Sequence, residues 1–336
     1  MAPHNLSKLT DSLDIPRAGS QPSPMPPRLP RPVIAVPLLL IVAGGLGWPV
    51  EALGQPAVAS DLWRLAAGTL VVPPALADGG SAALWTPAVR LSPSGAGMLV
   101  AIEAIHSPSE IGINGGVASV ALRAGTLGTV NLVYGRMGVD GLVRTETSPE
   151  AIGGDIAVYN EVLSVGLARS IGSGFTAGIA ARSLSGRLDI VSASQVGLDL
   201  GLRYADSSRF SFGIATRFFD PALRASESAA SYSAAVSYRT EEGQAWGTTA
   251  DLRFWYGVGW AHGEGMQHLL TAGLDLGGVA QLDFGAAREE TAGFEVWRSR
   301  LGVSLEVGSY RVYLGRDGGV NGFGATYRFG LTAEFM

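Results

Sequence analysis

The segment 327–336 constrains this chain most. Tyr327, Phe329, Leu331, Ala333 and Phe335 alternate with Arg328, Gly330, Thr332 and Glu334. A period of two makes a strand with one apolar and one polar face. Strands of soluble sheets also alternate. An apolar face with aromatics at both ends, one of them a residue from the C-terminus, instead predicts the closing strand of a membrane barrel, carried by Tyr327, Phe329, Leu331 and Phe335.

The rest of the chain repeats the pattern. Val196, Leu198, Leu200, Leu202 and Tyr204 oppose Gln195, Gly197, Asp199, Gly201 and Arg203. Phe210, Phe212, Ile214 and Phe218 oppose Arg209, Ser211, Gly213, Ala215 and Arg217, and the alternation returns over 231–239 and 297–307. A soluble sheet would put many Lys and Glu on its wet face. Here that face mixes Gly, Ser, Ala and isolated charges, which suits a crowded polar barrel interior. The 47 glycines argue against a helical protein, and no apolar run reaches the ~18 residues of a spanning helix. Tight connections such as Gly277-Gly278 and Gly308-Ser309 alternate with longer ones at 137–154, Ser185–Ser194, Phe219–Ala229, Gly257–Gln267, Arg288–Gly293 and Asp317–Gly322. Short turns and long loops of an outer-membrane barrel alternate in this way. The predicted fold is all-β: a closed antiparallel transmembrane β-barrel of about fourteen strands over residues 96–336, preceded by a short plug segment. Closure is required because an open edge in lipid leaves unpaired amides.

Residues 1–54 read as an export signal. Arg28 and Arg31 precede an apolar run from Val33 to Leu46, and Ala52-Leu53-Gly54 and Ala57-Val58-Ala59 fit small-x-small cleavage sites. Met25 is an alternative start. Residues 55–95 form an N-terminal periplasmic or plug segment. They do not alternate, and a barrel this wide is not filled by its own side chains. Arg64, Asp78 and Arg90 are expected to pair with charges in the lumen, Trp85 to anchor the segment, and Pro87 to shape it.

Within that segment Ala77, Asp78, Ser81, Ala82, Trp85, Pro87, Ala88 and Leu91 resemble the N-terminal motif of the PorV/PorQ group of outer-membrane proteins, relatives of the FadL-type long-chain fatty-acid transporters. Thr86 and Val89 depart from the group's usual Asn and Gly. Leu163–Ala168, Gly174–Ile179 and Val196–Tyr204 look like the group's central hairpins. The resemblance implies a plugged barrel that passes hydrophobic or amphipathic solutes, or one that receives cargo in type IX-like secretion.

No constellation in the sequence points to catalysis or to a metal. Cysteine is absent, which removes thiol chemistry. His106 beside Ser107 is mere adjacency, and His262, Glu264 and His268 belong to an outer loop and its rim. Glu289-Glu290 reads as a charged loop tip. Phe254, Trp255, Tyr256, Trp260 and Trp297 read as an interfacial girdle. The inward charges are the candidate site: Arg123, Arg203, Arg209, Arg217, Arg253, Arg298 and Arg300 share the lumen face with Asp199, Asp251, Asp275 and Asp283. They are expected to form a mutually neutralising lattice that holds the plug. The formal net charge of −5 argues against a nucleic-acid partner. The expected partners are outer-membrane lipid, the barrel-assembly machinery, and hydrophobic small molecules or secreted cargo. No cofactor is expected. The functional alternatives are a passive channel for small hydrophobic or amphipathic solutes, a secretion accessory, and a structural barrel without transport.

Overall fold

The computed structural model describes residues 59–89, 91, 96–109, 112–143, 156–205, 209–220, 230–245, 247–261, 265–291, 294–319 and 324–336. Residues 1–54, read above as an export signal, and Arg90, His262 and Glu264 lie outside the described residues.

The strands are β1 (Met98–His106), β2 (Gly112–Arg123), β3 (Thr129–Asp140), β4 (Val158–Gly172), β5 (Phe175–Leu188), β6 (Val191–Ala205), β7 (Phe210–Phe219), β8 (Ser231–Arg239), β9 (Gly243–Ala245), β10 (Thr248–Ala261), β11 (Gln267–Leu276), β12 (Ala280–Thr291), β13 (Phe294–Val307), β14 (Tyr310–Asp317) and β15 (Thr326–Phe335). β9 is a three-residue piece folded back on the start of β10. The other fourteen form one antiparallel ring. β15 closes it by pairing with β1 from Met98–Phe335 to His106–Tyr327.

Alternation becomes facing. Leu200, Phe329 and Trp297 are 50%, 50% and 67% exposed, whereas Asp199, Arg328 and Arg298 on the opposite parity are buried. The short turns use residues that reach positive φ: Gly172 and Gly174 between β4 and β5, and Gly277 and Gly278 between β11 and β12.

Three local features depart from the sequence reading. β5 and β6 run on to Leu188 and from Val191, so the stretch 185–194 is a strand hairpin around Asp189 (φ 54°) rather than a longer loop. β12 and β13 extend to Thr291 and from Phe294, and β14 includes Asp317, for the same reason: cross-strand pairing carries the hairpins beyond the apolar band. In β7 the register against β6 shifts between Leu198 and Leu200, and Phe218 takes a positive φ of 58°. This bulge turns Phe218 into the bore, where it is 3% exposed, instead of onto the apolar outer face. The Phe218 N–H donates to Asp199 Oδ1 at 2.7 Å, which holds the bulge.

The hydrophobic core lies inside the ring. Residues 59–89 fold as a helix α1 (Leu62–Ala67), a 3-10 turn (Pro74–Leu76) and a helix α2 (Ala82–Trp85). Leu62, Trp63, Ala66, Leu84 and Trp85 pack against inward-facing Ile105, Val117, Val133, Met137, Val162 and Leu184. Trp63 and Trp85 are fully buried, and burying a side chain of this kind is worth roughly 1.5–3 kcal/mol. Glycines on the wall admit the segment's backbone: a Cβ at Gly178 would overlap the Pro87 carbonyl, and one at Gly213 the Ala75 carbonyl.

Candidate functional site

The segment is irregular, so its backbone polar groups need partners from the wall. The Thr271 hydroxyl donates to the Val71 carbonyl at 2.6 Å, and Arg300 Nη1 donates to the Leu70 carbonyl at 2.9 Å. Arg182 Nη2 donates to the Ala83 and Leu84 carbonyls at 3.2 and 2.6 Å, at the end of α2. Trp63 Nε1 donates to Asn160 Oδ1 at 2.7 Å. Arg328 Nη1 donates to the Thr69 hydroxyl at 3.2 Å. Ser119 donates to the Gly80 carbonyl, and Ser81 to Glu103. Asp78 accepts a two-pronged pair from Arg203 at 2.6 and 3.2 Å. These ties come from β1, β2, β4, β5, β6, β11, β13 and β15, and so reach the segment from several sides of the ring.

Behind them stand ion-pair clusters. Arg298 Nη1 and Arg300 Nε both reach Asp317, at 2.7 and 3.0 Å, and both guanidinium groups share Glu289. Arg182 and Asp199 form a fully buried pair. Arg239, Asp251, Arg253 and Asp275 make a chain with links of 2.6, 3.2 and 2.8 Å. Arg328 meets Glu103 at 2.9 Å, and Arg209 pairs with Glu241 beside a short turn. Asp283 accepts from Gln281 Nε2 at 2.8 and 3.1 Å. Arg123 is exposed at the end of β2. Arg64 pairs with Asp61 at 3.6 Å. Trp85 lies between two guanidinium groups, Arg217 at 5.3 Å and Arg328 at 5.1 Å.

Two expectations are overturned here. Glu289 is no loop tip: it is buried in the extended β12–β13 hairpin and bridges two arginines. Trp255 is no girdle residue: it is 7% exposed and lines the bore, while Phe254, Tyr256, Trp260 and Trp297 do face outward. Arg182, Arg239, Glu103, Glu241, Glu289, Asp317 and Arg328 complete the clusters and pairs, and none stood among the candidates. Arg328 was legible from its place on the polar face of the last strand. His106 contacts Asn114, and His268 meets the Tyr256 hydroxyl at 2.9 Å. No group of three metal-ligating side chains occurs among the described residues.

The segment divides the bore unequally. Toward the short turns it leaves a cavity of about 480 Å³, bounded by Leu76, Trp85, Trp255 and Tyr313 with Arg253, Arg311, Asp78 and Asp283. On the opposite side a smaller cavity of about 50 Å³ lies between Pro73, Arg217, Ser233 and Gln267. The wider space combines aromatic faces with charges of both signs.

No family model matches the chain, and no curated protein matches it. Among solved structures it is similar to the toluene transporter TodX of Pseudomonas putida, at 11% identity over 84% of this chain and 98% of that one, with a TM-score of 0.48. It is similar to the CymD monoaromatic hydrocarbon channel at 11% identity over 85% and 99%, TM-score 0.48. It is similar to the outer membrane protein Omp33 of Acinetobacter baumannii at 10% identity over 71% and 98%, TM-score 0.43. Likenesses this distant carry nothing about function, and closure of the strand ring alone fixes the fold.

Proposed function

We propose that this protein is an outer-membrane channel for small hydrophobic or amphipathic solutes, closed in its resting form by residues 59–91 acting as a plug. The single observation that carries the reading is the space inside the bore: beside the tethered segment, toward the short turns, lies an aromatic, charge-lined cavity of about 480 Å³. Such a cavity suits a solute with an apolar body and a polar end. The apolar outer face supports the outer membrane as its place, with lipid and the barrel-assembly machinery as partners. The inward arginines and carboxylates serve as the lattice that holds the plug. Release of an entrapped aryl sulfonate from proteoliposomes, set against a neutral sugar of similar size, tests the proposal. The amphiphile should leave faster. Equal rates, or no release of either, would contradict it.

One observation favours a second reading. So many ties to the segment suit a barrel that never opens, whether a structural protein or the secretion accessory that the PorV/PorQ resemblance implies. No release of either solute would support it.

A further inference from the structure

Arg217 differs from every other buried arginine of the bore. It is 5% exposed, yet no carboxylate among the described residues lies within ion-pair distance of it and Nη1 has no hydrogen-bond partner. Asp199, on the neighbouring strand β6, is taken by Arg182 and by the Phe218 N–H. The rings of Trp85 and Phe218, at 5.3 and 5.8 Å, are its compensation. Ring faces offset only part of the cost of desolvating a cation.

Two further groups beside it are unsatisfied. Ser231, the cross-strand partner of Arg217, and Ser233 are buried, and neither hydroxyl has a partner. Buried polar groups without partners are uncommon, and here three donors border the same small cavity of about 50 Å³. Its wall also carries Arg64, Arg300 and the Glu289 carboxylate, the last shared by Arg298 and Arg300. The volume admits a few water-sized particles.

We infer that this cavity is a binding site for a small monovalent anion of halide size, held by the Arg217 guanidinium and the Ser231 and Ser233 hydroxyls. A charge-assisted bond from Arg217 and two O–H donors would satisfy all three orphan groups at once. The anion would also complete the charge balance behind Trp85, against which Arg217 stacks, and so brace the segment from the side opposite the large cavity. The site does not depend on the transport reading, since it would fill in a barrel that never conducts.

The purified full-length mature barrel, crystallised in chloride-free buffer and soaked in bromide, should show an anomalous peak between Arg217, Ser231 and Ser233. In solution the melting temperature should rise saturably with bromide and stay flat with gluconate, which is too large to enter. Arg217→Met should abolish the rise. The double variant Ser231→Ala/Ser233→Ala, which decides the matter if Arg217→Met does not fold, should weaken bromide binding roughly tenfold or more. Ser211→Ala, whose hydroxyl pairs with Ser237 elsewhere on the wall, should leave it unchanged. Absence of a peak at Arg217, or an undiminished bromide response in the serine double variant, would overturn the inference.

Discussion

Arg182 is the side chain through which the wall and the segment depend on each other most. It is fully buried, it pairs with the equally buried Asp199, and it donates to two carbonyls of α2. Arg182→Met fills most of the space but strands the Asp199 carboxylate and both carbonyls. Breaking a buried pair from one side costs ~3–5 kcal/mol, because the remaining charge is uncompensated. The Phe218 N–H still donates to Asp199, so the lower half of that range is expected. Adding Asp199→Leu removes the stranded charge. It also deprives the Phe218 N–H of its acceptor, worth ~1–3 kcal/mol. The double variant should therefore be no less stable than the single one, and more stable if the stranded charge dominates. Denaturant unfolding from lipid vesicles, followed by tryptophan fluorescence, measures both. A single variant within ~1 kcal/mol of wild type, or losses that simply add, would refute this account of how α2 is held.

Other expectations follow from facing, closure and charge. Leu200→Arg places a cation in lipid and should cost ~2–4 kcal/mol near mid-membrane, whereas Ser304→Arg projects into the 480 Å³ cavity and should cost little; the same unfolding assay ranks them, and the reverse order would reject the register. Loss of 327–336 removes the partner of β1 and should prevent insertion into the outer membrane, with Phe335→Ala a milder case; fractionation that finds the truncated chain inserted as well as wild type would contradict the closing role. Desolvation within the bore raises the Asp78 carboxyl, but the charge and hydrogen bonds of Arg203, with Arg311 and Arg253 behind it, together lower it further, so its value lies below the usual carboxylate range. The tie is then intact above the unfolded carboxylate value and fails as pH falls through the lowered folded one, below about pH 4. Bilayer conductance should rise only in that acid window, and Asp78→Asn should raise it at neutral pH; a rise beginning near pH 6 would point to another group.

Period-two alternation made the ring legible because each strand of a thin-walled barrel shows one face to lipid and one to the bore. Asp199, Arg203, Asp251, Asp275, Asp283, Arg298 and Arg300 were assignable by parity alone. The same parity puts Trp255 with Asp251 and Arg253 on the inner face; reading the local aromatics as a girdle overrode it. Phe218 could not be placed by parity, because a bulge reverses facing within one residue. Glu289 and Asp317 were hidden by strand ends that run past the apolar band, where alternation of side-chain type fades while hydrogen bonding continues. Of the N-terminal segment, its place in the bore, the Asp78 pairing and the Trp85 anchor were legible, but not its path: an irregular segment has no period, and its position is fixed by partners far away in sequence, such as Arg182, Thr271, Arg300 and Arg328.

The central claim is that this segment closes the bore. Planar-bilayer recording of a chain that lacks residues 61–94 but keeps residues 1–54 tests it directly, once closure of the strand ring has been checked by its resistance to unfolding. The account predicts a quiet baseline for the intact protein and a large, steady ion conductance for the deletion. A correctly folded deletion with the same quiet baseline would contradict it and move the seal to the outer loops.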